Sequence, residues 1–400
     1  MKQKWLTIFI ALSTLSITLS LIIFPEAAFH SSLRGLHTWW EVVFPSLLPF
    51  FIMAELLIGL GVVQFIGILF QPVMKPVFNV SGVGSFAFIV GMASGYPSGA
   101  KITASLRENE ELTRTEAERL VSFTNAASPL FIFGAIAVGF FYDASIGILI
   151  AICHYIGNLF VGIIMRFYRR AESIPAIKKQ HTRPILYRAF QQMHHTRLSS
   201  NRPFGQIMGD AVLSSVQTLL MVGGFIIFFS VFTTLLHELQ LFEILHSIVR
   251  PILQFAHLPN DIIQPFSVGL FEITIGAEMI ANISNVSPIA QFAIISFFLG
   301  FNGISIHAQV ASIIAKTDIR FFPYFLGRIL HAIIASALTI IIYPIFQAFK
   351  TDQHVMETIA ISEQLSSPLL LIMKTYGPIL TIGCLVIAFS ILSYRTLYRH

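Results

Sequence analysis

The chain has 400 residues, of which 55% are apolar and only 11% are charged, with a formal net charge of +5. Soluble domains carry about 25% charged residues, so this composition excludes an ordinary soluble protein and predicts an integral membrane protein. The apolar runs are long and do not alternate with polar residues, which favours membrane helices over barrel strands. The two cysteines, Cys153 and Cys384, fall within such runs and are expected to fill space in the core.

The first half is predicted to begin with membrane-spanning helices at residues 5–24 and 41–63. The first apolar run follows Lys2 and Lys4 and is longer than that of a signal peptide, so we expect an uncleaved span with its N-terminus inside. An amphipathic stretch at 64–80 is interpreted as an interfacial helix. Two further spans are expected at 116–141 and 146–164.

Between them, residues 83–106 start like a membrane helix and then break. The apolar run 83–93 measures about 16 Å as a helix, roughly half of the hydrocarbon core. The following SGYPSG sequence (94–99) breaks helices and leaves main-chain polar groups that lipid cannot satisfy. We interpret the segment as a re-entrant hairpin beside a polar cavity. A kinked helix that crosses the membrane completely is the alternative.

Charged segments set the expected orientation. The stretch 107–119 must lie in water, and Thr113 with Glu116 has the spacing of a capping box. Residues 166–202 form a linker with nine Lys or Arg against one acid, which predicts a cytoplasmic location. Anionic lipid headgroups are a sufficient partner for this linker, so no nucleic-acid partner is expected.

The second half repeats the order of the first. Spans are expected at 211–236, 289–315, 322–349 and 368–393, with an amphipathic stretch at 241–255 and a second irregular segment at 262–284. Eight spans place both termini and the basic loops on the cytoplasmic side, provided that both irregular segments are re-entrant. The predicted organisation is 1–40, a first repeat at 41–165, a basic linker at 166–210, a second repeat at 211–349, and 350–400.

The two halves are predicted to form an inverted repeat. Gly99-Ala100 matches Gly276-Ala277 at an offset of 177 residues (276 − 99), and other local matches have offsets close to it. Inverted repeats with paired interrupted segments indicate a binding site near the midplane of a secondary transporter. The expected fold is therefore all-α, with about eight membrane spans and two re-entrant helical hairpins.

Four segments would converge at the repeat interface: 91–101, 124–129, 272–278 and 302–307. Small and hydroxyl residues there would hydrogen-bond a small polar solute, and half-helix N-termini would attract an anion. The candidate binding residues are Gly95, Tyr96, Ser98, Gly99, Lys101, Thr124, Asn125, Ser128, Glu272, Thr274, Gly276, Asn302, Ser305, His307 and Arg328.

Several ionisable candidates have structural alternatives. Lys101 and Glu278 are also compatible with positions near hairpin ends from which they reach water. Arg328 is as compatible with an ion pair to Glu272 or Glu278 as with a solute contact. The two glutamates are equally compatible with binding a proton or Na⁺, so the coupling ion stays open.

Three motifs resemble a known family. GMASGYPSGAK (91–101), SFTNAASPLFIFGAIAVGFF (122–141) and GFNGISIHAQ (300–309) are similar to the YlbJ-type sporulation integral membrane proteins. These belong with the nucleoside-recognition, or Gate-domain, membrane proteins, whose layout resembles concentrative nucleoside transporters. Ala126-Ala127 departs from the more polar pair expected after Asn125.

The resemblance implies a function in spore formation: passage of dipicolinic acid across the outer forespore membrane during maturation of the spore cortex and core. A nucleoside-type transporter or a non-transporting membrane scaffold remains the alternative. No enzymatic signature, metal site or cofactor is expected. The expected partners are a small-molecule solute and membrane lipid, and homo-oligomerisation is compatible with the sequence.

Overall fold

The computed structural model describes residues 2–170, 184–199 and 202–362, and these ranges are helical without any strand. The described residues divide into two compact units, one that ends at Tyr343 and one that begins at Pro344. The helices are α1 (Lys2–Ile23), α2 (Pro25–His37), α3 (Phe44–Gly59), α4 (Val62–Phe78), α5 (Gly84–Ser94), α6 (Ser98–Glu108), α7 (Arg114–Thr124), α8 (Ala144–Met165), α9 (Ile185–Ser199), α10 (Phe204–Glu238), α11 (Leu241–Phe255), α12 (Ile263–Phe271), α13 (Ile273–Ala281), α14 (Pro288–Phe301), α15 (Gly303–Ile314) and α16 (Phe321–Ser362). Two π-helical segments, Thr38–Val43 and Phe131–Phe140, and a short 3-10 turn, Asn260–Ile262, complete the set.

Within the described ranges, four segments are long and apolar enough to cross a membrane: Ala144–Met165, Phe204–Glu238, Pro288–Ile314 and Phe321–Lys350. Two bent pairs, Ala11–Ile23 with Pro25–Val43 and Leu47–Gly59 with Val62–Phe78, pass the same test only as pairs. The structure therefore gives four to six spans where the sequence predicted seven, and the eighth, 368–393, lies outside the described residues. The chain is an all-helical integral membrane protein.

Both irregular segments fold as helical hairpins, as predicted. Hairpin A consists of α5 and α6, joined at Gly95, Tyr96 and Pro97. A Cβ on Gly91 would lie 3.0 Å from the Cα of Gly99, so the two helices approach with almost no side chain between them. Gly95 has φ +77°, a left-handed conformation that a glycine adopts without strain.

Hairpin B consists of α12 and α13, joined through Glu272, whose backbone is extended (φ −140°, ψ 117°). A Cβ on Gly276 would lie 2.7 Å from the main-chain nitrogen of Gly269, and the ring of Phe298 covers both glycines. In both hairpins, therefore, the two helices pack closely through a pair of facing glycines.

A broken helix follows each hairpin. Broken helix A is α7 plus Phe131–Phe140, interrupted at Asn125–Ser128, so the continuous span predicted at 116–141 is wrong. Broken helix B is α14 plus α15, interrupted at Asn302, which adopts φ +80°. Amphipathic α4 and α11 precede the hairpins at close to the predicted bounds. The repeated order of elements is confirmed, and the inversion of the repeats stays a prediction.

The charged stretch before α7 fixes that helix in place. Thr113 Oγ1 accepts from the Glu116 amide at 3.2 Å, and Glu116 Oε2 accepts from the Thr113 amide at 3.2 Å, which confirms the capping box. The carboxylate of fully buried Glu118 accepts from Arg114 Nε at 3.0 Å, from the Tyr168 hydroxyl at 2.9 Å and from the Arg320 amide at 3.2 Å. Residues of both repeats therefore meet at one buried carboxylate.

The predicted basic linker contains a helix. Helix α9 packs on α4, with the rings of Phe65 and Phe190 4.8 Å apart and Arg188 Nη2 donating to Gln71 Oε1 at 3.0 Å. Residues 171–183 and 200–201 of the linker lie outside the described part. At the other boundary, α16 continues to Ser362 instead of ending near Phe349.

Candidate functional site

The tips of the two hairpins meet at one cavity of about 80 Å³, here called the central cavity. Hairpin A contributes Gly95 and Tyr96, and hairpin B contributes Glu272 and Thr274. The interruption of broken helix A adds Ser128, and the second half of broken helix B adds Ser305. The remaining wall is formed by Leu47, Phe51, Ser94, Pro97, Phe131, Thr218, Met221, Val222, Phe225, Ile273, Ile306 and Gln309. One small space therefore collects polar groups from both repeats inside an apolar surround.

Hairpin A offers polar atoms that the protein itself does not use. The hydroxyls of Ser94 and Tyr96 are buried and have no hydrogen-bond partner among the described residues. An unpartnered buried hydroxyl costs free energy, about 1–3 kcal/mol, unless a bound molecule satisfies it. These hydroxyls are accordingly suited to hydrogen-bond a solute in the central cavity.

Glu272 dominates the tip of hairpin B. Its side chain is buried, with 5% exposed, and it caps the N-terminus of α13 by accepting from the Ile275 amide at 2.8 Å. The Thr274 hydroxyl donates to its other oxygen at 3.1 Å. No Lys, Arg or His side chain of the described chain forms an ion pair with it. The ion pair with Arg328 that the sequence left open is therefore absent from this part of the structure.

Arg328 instead supports the interruption of broken helix A. Its Nη1 donates to the carbonyl of Asn125 at 2.9 Å, and its Nη2 donates to the carbonyl of Ser122 and to Asn158 Oδ1 at 3.1 Å. Asn158 Nδ2 donates to the carbonyl of Phe123 at 2.6 Å. These carbonyls are the ones that a helix ending at Thr124 leaves without an amide. Arg328 and Asn158 thus satisfy, at membrane depth, the main chain that the interruption exposes.

Two asparagines connect the interruptions of the two broken helices. Asn302 Nδ2 lies 3.1 Å from the Asn125 carbonyl, and both side-chain amides approach the Tyr324 hydroxyl, at 3.1 Å from Asn125 and 3.3 Å from Asn302. The Oδ1 atom of each asparagine is buried and has no partner in the described part of the chain. The pair holds the two interruptions together beside the central cavity.

Two histidines form a second link between the repeats. Arg328 can only donate, so His331 Nδ1, at 3.2 Å, accepts from it and the His331 proton lies on Nε2. That nitrogen donates to the His154 carbonyl at 2.8 Å. His154 Nε2 in turn accepts from the Ala127 amide at 3.1 Å, at the interruption itself. Both residues therefore help to fix the interruption, and neither lines the cavity.

A larger space, here called the vestibule, lies along the other face of hairpin B and measures about 750 Å³. Hairpin B contributes Glu278 and Asn282 to its wall. Thr38 donates to Glu278 at 2.6 Å, and Arg34 donates to Thr234 at 3.2 Å. The wall also includes His37, His237 and Glu238. Hairpin B therefore separates a wide polar space from the small central cavity.

The structure sorts the fifteen predicted site residues into three groups. Six line the central cavity: Gly95, Tyr96, Ser128, Glu272, Thr274 and Ser305. Six support its wall: Gly99 and Gly276 pack the hairpins, Thr124 contacts hairpin A through its carbonyl, and Asn125, Asn302 and Arg328 hold the interruptions. Three do not line it: Ser98, Lys101 and His307.

The last group corrects the prediction for Lys101 and His307. Lys101 is exposed on α6 because the helix turns that residue away from the hairpin contact. His307 is buried among the rings of Phe301, Phe321, Tyr324 and Phe325, at centroid distances of 4.8 to 6.0 Å. Its position on α15 points it toward the start of α16, away from the cavity.

Tyr324, Asn158, His154 and His331 support the site, although they were not among the candidate binding residues; the sequence favoured an interfacial or structural role for the two histidines. A fixed separation in the sequence could have identified the two histidines. Asn125 and Asn302 are separated by 177 residues, and so are His154 and His331. Gly99 and Gly276 have the same separation, so a search at that fixed offset would have found these pairs together.

No group of three or more His, Cys, Asp or Glu side chains in the described ranges could hold a metal ion. The arrangement provides hydroxyls, amides and one carboxylate around a small space. Such groups are suited to hydrogen-bond a small polar molecule.

Comparison with known proteins gives three findings. The profile of the family described as "Gate: Nucleoside recognition" matches residues 40–144. The chain is similar to the sporulation integral membrane protein YlbJ of Bacillus subtilis (strain 168), with 47% identity over 395 residues, 97% of this chain and 96% of that protein. A solved structure of a CNTnw mutant in an outward-facing state is similar over 83% of this chain and 86% of that chain, with a TM-score of 0.40 and 12% identity.

Proposed function

Because the chain belongs to the YlbJ family of sporulation integral membrane proteins, we propose that it transports a small polar or anionic solute across a membrane. One observation carries this proposal. Two hairpin tips and two interrupted helices meet around a central cavity that offers unpartnered buried hydroxyls. Interrupted helices at membrane depth are typical of solute sites in secondary transporters.

The proposed solute is dipicolinic acid, moved across the outer forespore membrane, with both termini of the chain in the cytoplasm. Support comes from the sporulation family and from the donors at the cavity. Tyr96, Ser128, Thr274 and Ser305 supply hydroxyls for carboxylate oxygens, and Phe131 supplies an aromatic ring. The proposed partners are this solute and membrane lipid, and no catalytic step or cofactor is part of the proposal.

The size of the spaces suggests how the solute passes. Ligand sites usually enclose about 300–1,000 Å³, so the central cavity is too small for a planar aromatic acid while the vestibule is large enough. Hairpin B forms a wall of both. Movement of the hairpin B tip would therefore widen the central cavity and join it to the vestibule.

The test uses the purified chain in lipid vesicles loaded with labelled dipicolinate. We expect release from wild-type vesicles, and at least a tenfold lower rate for Asn125→Ala and Asn302→Ala, which lose the link between the interruptions. Asn260→Ala, an exposed asparagine outside the cavity, is the matched control and should release solute at the wild-type rate. Wild-type vesicles that retain their dipicolinate would refute the proposed substrate.

A nucleoside is the second candidate. The Gate profile, described as nucleoside recognition, matches 40–144, and Glu272 offers an acceptor for sugar hydroxyls at the cavity wall. Labelled uridine in the same vesicles distinguishes the two solutes.

A non-transporting scaffold is the alternative from another functional class, and it is motivated by the basic linker at 166–202. If neutralising that linker blocks spore maturation while Asn302→Ala does not, the scaffold is favoured.

A further inference from the structure

We propose that transport is coupled to protons and that Glu272 is the side chain that carries the proton. The inference rests on the proposed function, since it takes the solute to be an anion. It begins from the one carboxylate in the wall of the central cavity, at the tip of the hairpin that separates this cavity from the vestibule.

The surroundings of Glu272 provide no compensating cation. The side chain is 5% exposed, and its oxygens accept from uncharged donors at the start of α13, including the Ile275 amide and the Thr274 hydroxyl. No ion pair involves Glu272 anywhere in ranges 2–170, 184–199 and 202–362. An ionisable group buried without a partner at membrane depth is typical of proton pathways in transporters.

Arg328 does not supply a positive charge that pairs with Glu272. Its guanidinium is committed to the carbonyls of Ser122 and Asn125 and to Asn158, behind the interruption of broken helix A.

If an anionic solute occupies the central cavity, the Glu272 carboxylate must be protonated. A solute carboxylate within a few ångströms of an ionised Glu272 would be repelled strongly, because Glu272 is buried and no cation pairs with it in the described residues. A protonated Glu272 removes the repulsion and adds an O–H donor that can point at the solute carboxylate. Solute and proton therefore enter together, and loss of the proton after release restores the charge.

The vestibule gives the proton a route. Glu278 lies on α13, the helix that Glu272 caps, lines the vestibule and accepts a hydrogen bond from Thr38 at 2.6 Å. The vestibule lies along one face of hairpin B, so opening of the hairpin tip would expose Glu272 to it. Other titratable or charged groups near hairpin B are Tyr96, Arg328 and His307, then Glu243, His246 and Arg250 of α11 with Asp261 after it, and around the vestibule Arg34, His37, His237 and Glu238.

The test measures exchange of labelled for unlabelled dipicolinate in vesicles containing the full chain, at equal pH on both sides. A dicarboxylate stays ionised between pH 6 and pH 8 because carboxyl groups titrate near pH 4. We expect wild-type exchange to be at least fivefold faster at pH 6 than at pH 8. Glu272→Gln, which mimics the protonated side chain, should bring that ratio to about 1, whatever its absolute rate.

The matched control is Glu108→Gln, the same change at an exposed glutamate at the end of α6, outside both the central cavity and the vestibule. Its exchange should remain at least fivefold faster at pH 6 than at pH 8, as expected for the wild type. A second measurement needs no variant: inward movement of dipicolinate should remove protons from the outside medium, and a proton gradient should drive accumulation at least tenfold above equilibrium.

Two results overturn the inference while leaving the proposed function intact. One is wild-type exchange with equal rates at pH 6 and pH 8 and no accompanying proton movement. The other is accumulation that follows a Na⁺ gradient and ignores the proton gradient. If wild-type vesicles exchange no dipicolinate at all, the proposed function is refuted, and this inference is refuted with it.

Discussion

Nη1 of Arg328 lies 2.9 Å from the carbonyl oxygen of Asn125, although 203 residues separate them in the chain. The contact joins a fully buried guanidinium of the second repeat to the interrupted helix of the first. Among the residues described, no carboxylate pairs with this guanidinium. This buried guanidinium is thus used to satisfy main-chain carbonyls.

Replacing Arg328 should therefore destabilise the fold. Arg328→Met removes the donor to the Ser122 carbonyl, at about 1–3 kcal/mol, and leaves the Asn125 carbonyl with Asn302 Nδ2 as its remaining donor. We expect a clear drop in the midpoint of thermal unfolding in detergent. Arg250→Met, an exposed arginine on α11, is the control and should unfold like the wild type. An Arg328→Met midpoint within 2 °C of wild type, as a rough limit for 1 kcal/mol, would contradict this account.

The glycines at the hairpin contacts should tolerate no side chain. A Cβ on Gly99 would overlap the carbonyl of Thr124, and one on Gly276 would overlap the Cα of Gly269. We expect Gly99→Ala and Gly276→Ala each to destabilise by about 1–3 kcal/mol through overpacking. Gly205→Ala on α10 meets nothing within 4 Å, so it should be neutral or stabilise slightly. Equal unfolding midpoints for all three variants would show that the hairpins are packed differently.

Two ion pairs, Glu118 with Arg320 and Asp318 with Arg107, connect the charged stretch 107–119 to the start of α16, but they should differ in strength. Glu118 is fully buried, and removing it leaves Arg114, Tyr168 and the Arg320 amide without their acceptor. Glu118→Ala should cost about 3–5 kcal/mol. Asp318→Ala breaks the exposed pair with Arg107 and should cost less than about 1 kcal/mol. Thermal unfolding of both variants tests this order, and a larger loss for Asp318→Ala would reverse the argument.

The Arg107–Asp318 pair also predicts a dependence on pH. The hydrogen bond from Arg107 holds the pKa of the Asp318 carboxyl below its ordinary value. A group whose pKa is lowered on folding contributes stability above its unfolded pKa, near 4, and loses it as the pH falls through the folded value. The small stability difference between wild type and Asp318→Asn should thus be present at pH 7 and shrink below pH 4. A difference that grows on acidification would exclude this cause.

Lys101 should be dispensable for transport, because the structure exposes it on α6 and outside the central cavity. We expect Lys101→Ala to release dipicolinate from vesicles within about twofold of the wild-type rate. At least a tenfold loss, with normal insertion into the membrane, would return Lys101 to the site that its sequence position suggested.

The sequence alone determined the features that depend on local chemistry. Composition excluded a soluble protein, the Ser94–Gly99 break predicted hairpin A, and the bounds of α11 followed from its amphipathic pattern. Thr113 and Glu116 formed the expected capping box because both partners lie within one helical turn. Each of these properties is set by residues close together in the chain.

Only the tertiary structure decided which polar residues face the cavity. In helices that are apolar on all sides, no change of polarity separates the face toward lipid from the face toward protein. Lys101, His307 and Arg328 could therefore not be oriented from their positions, and Asn158 and Tyr324 were not recognised. Their placement depends on contacts between the two repeats, because an interrupted helix in a membrane must take its hydrogen-bond partners from elsewhere in the chain.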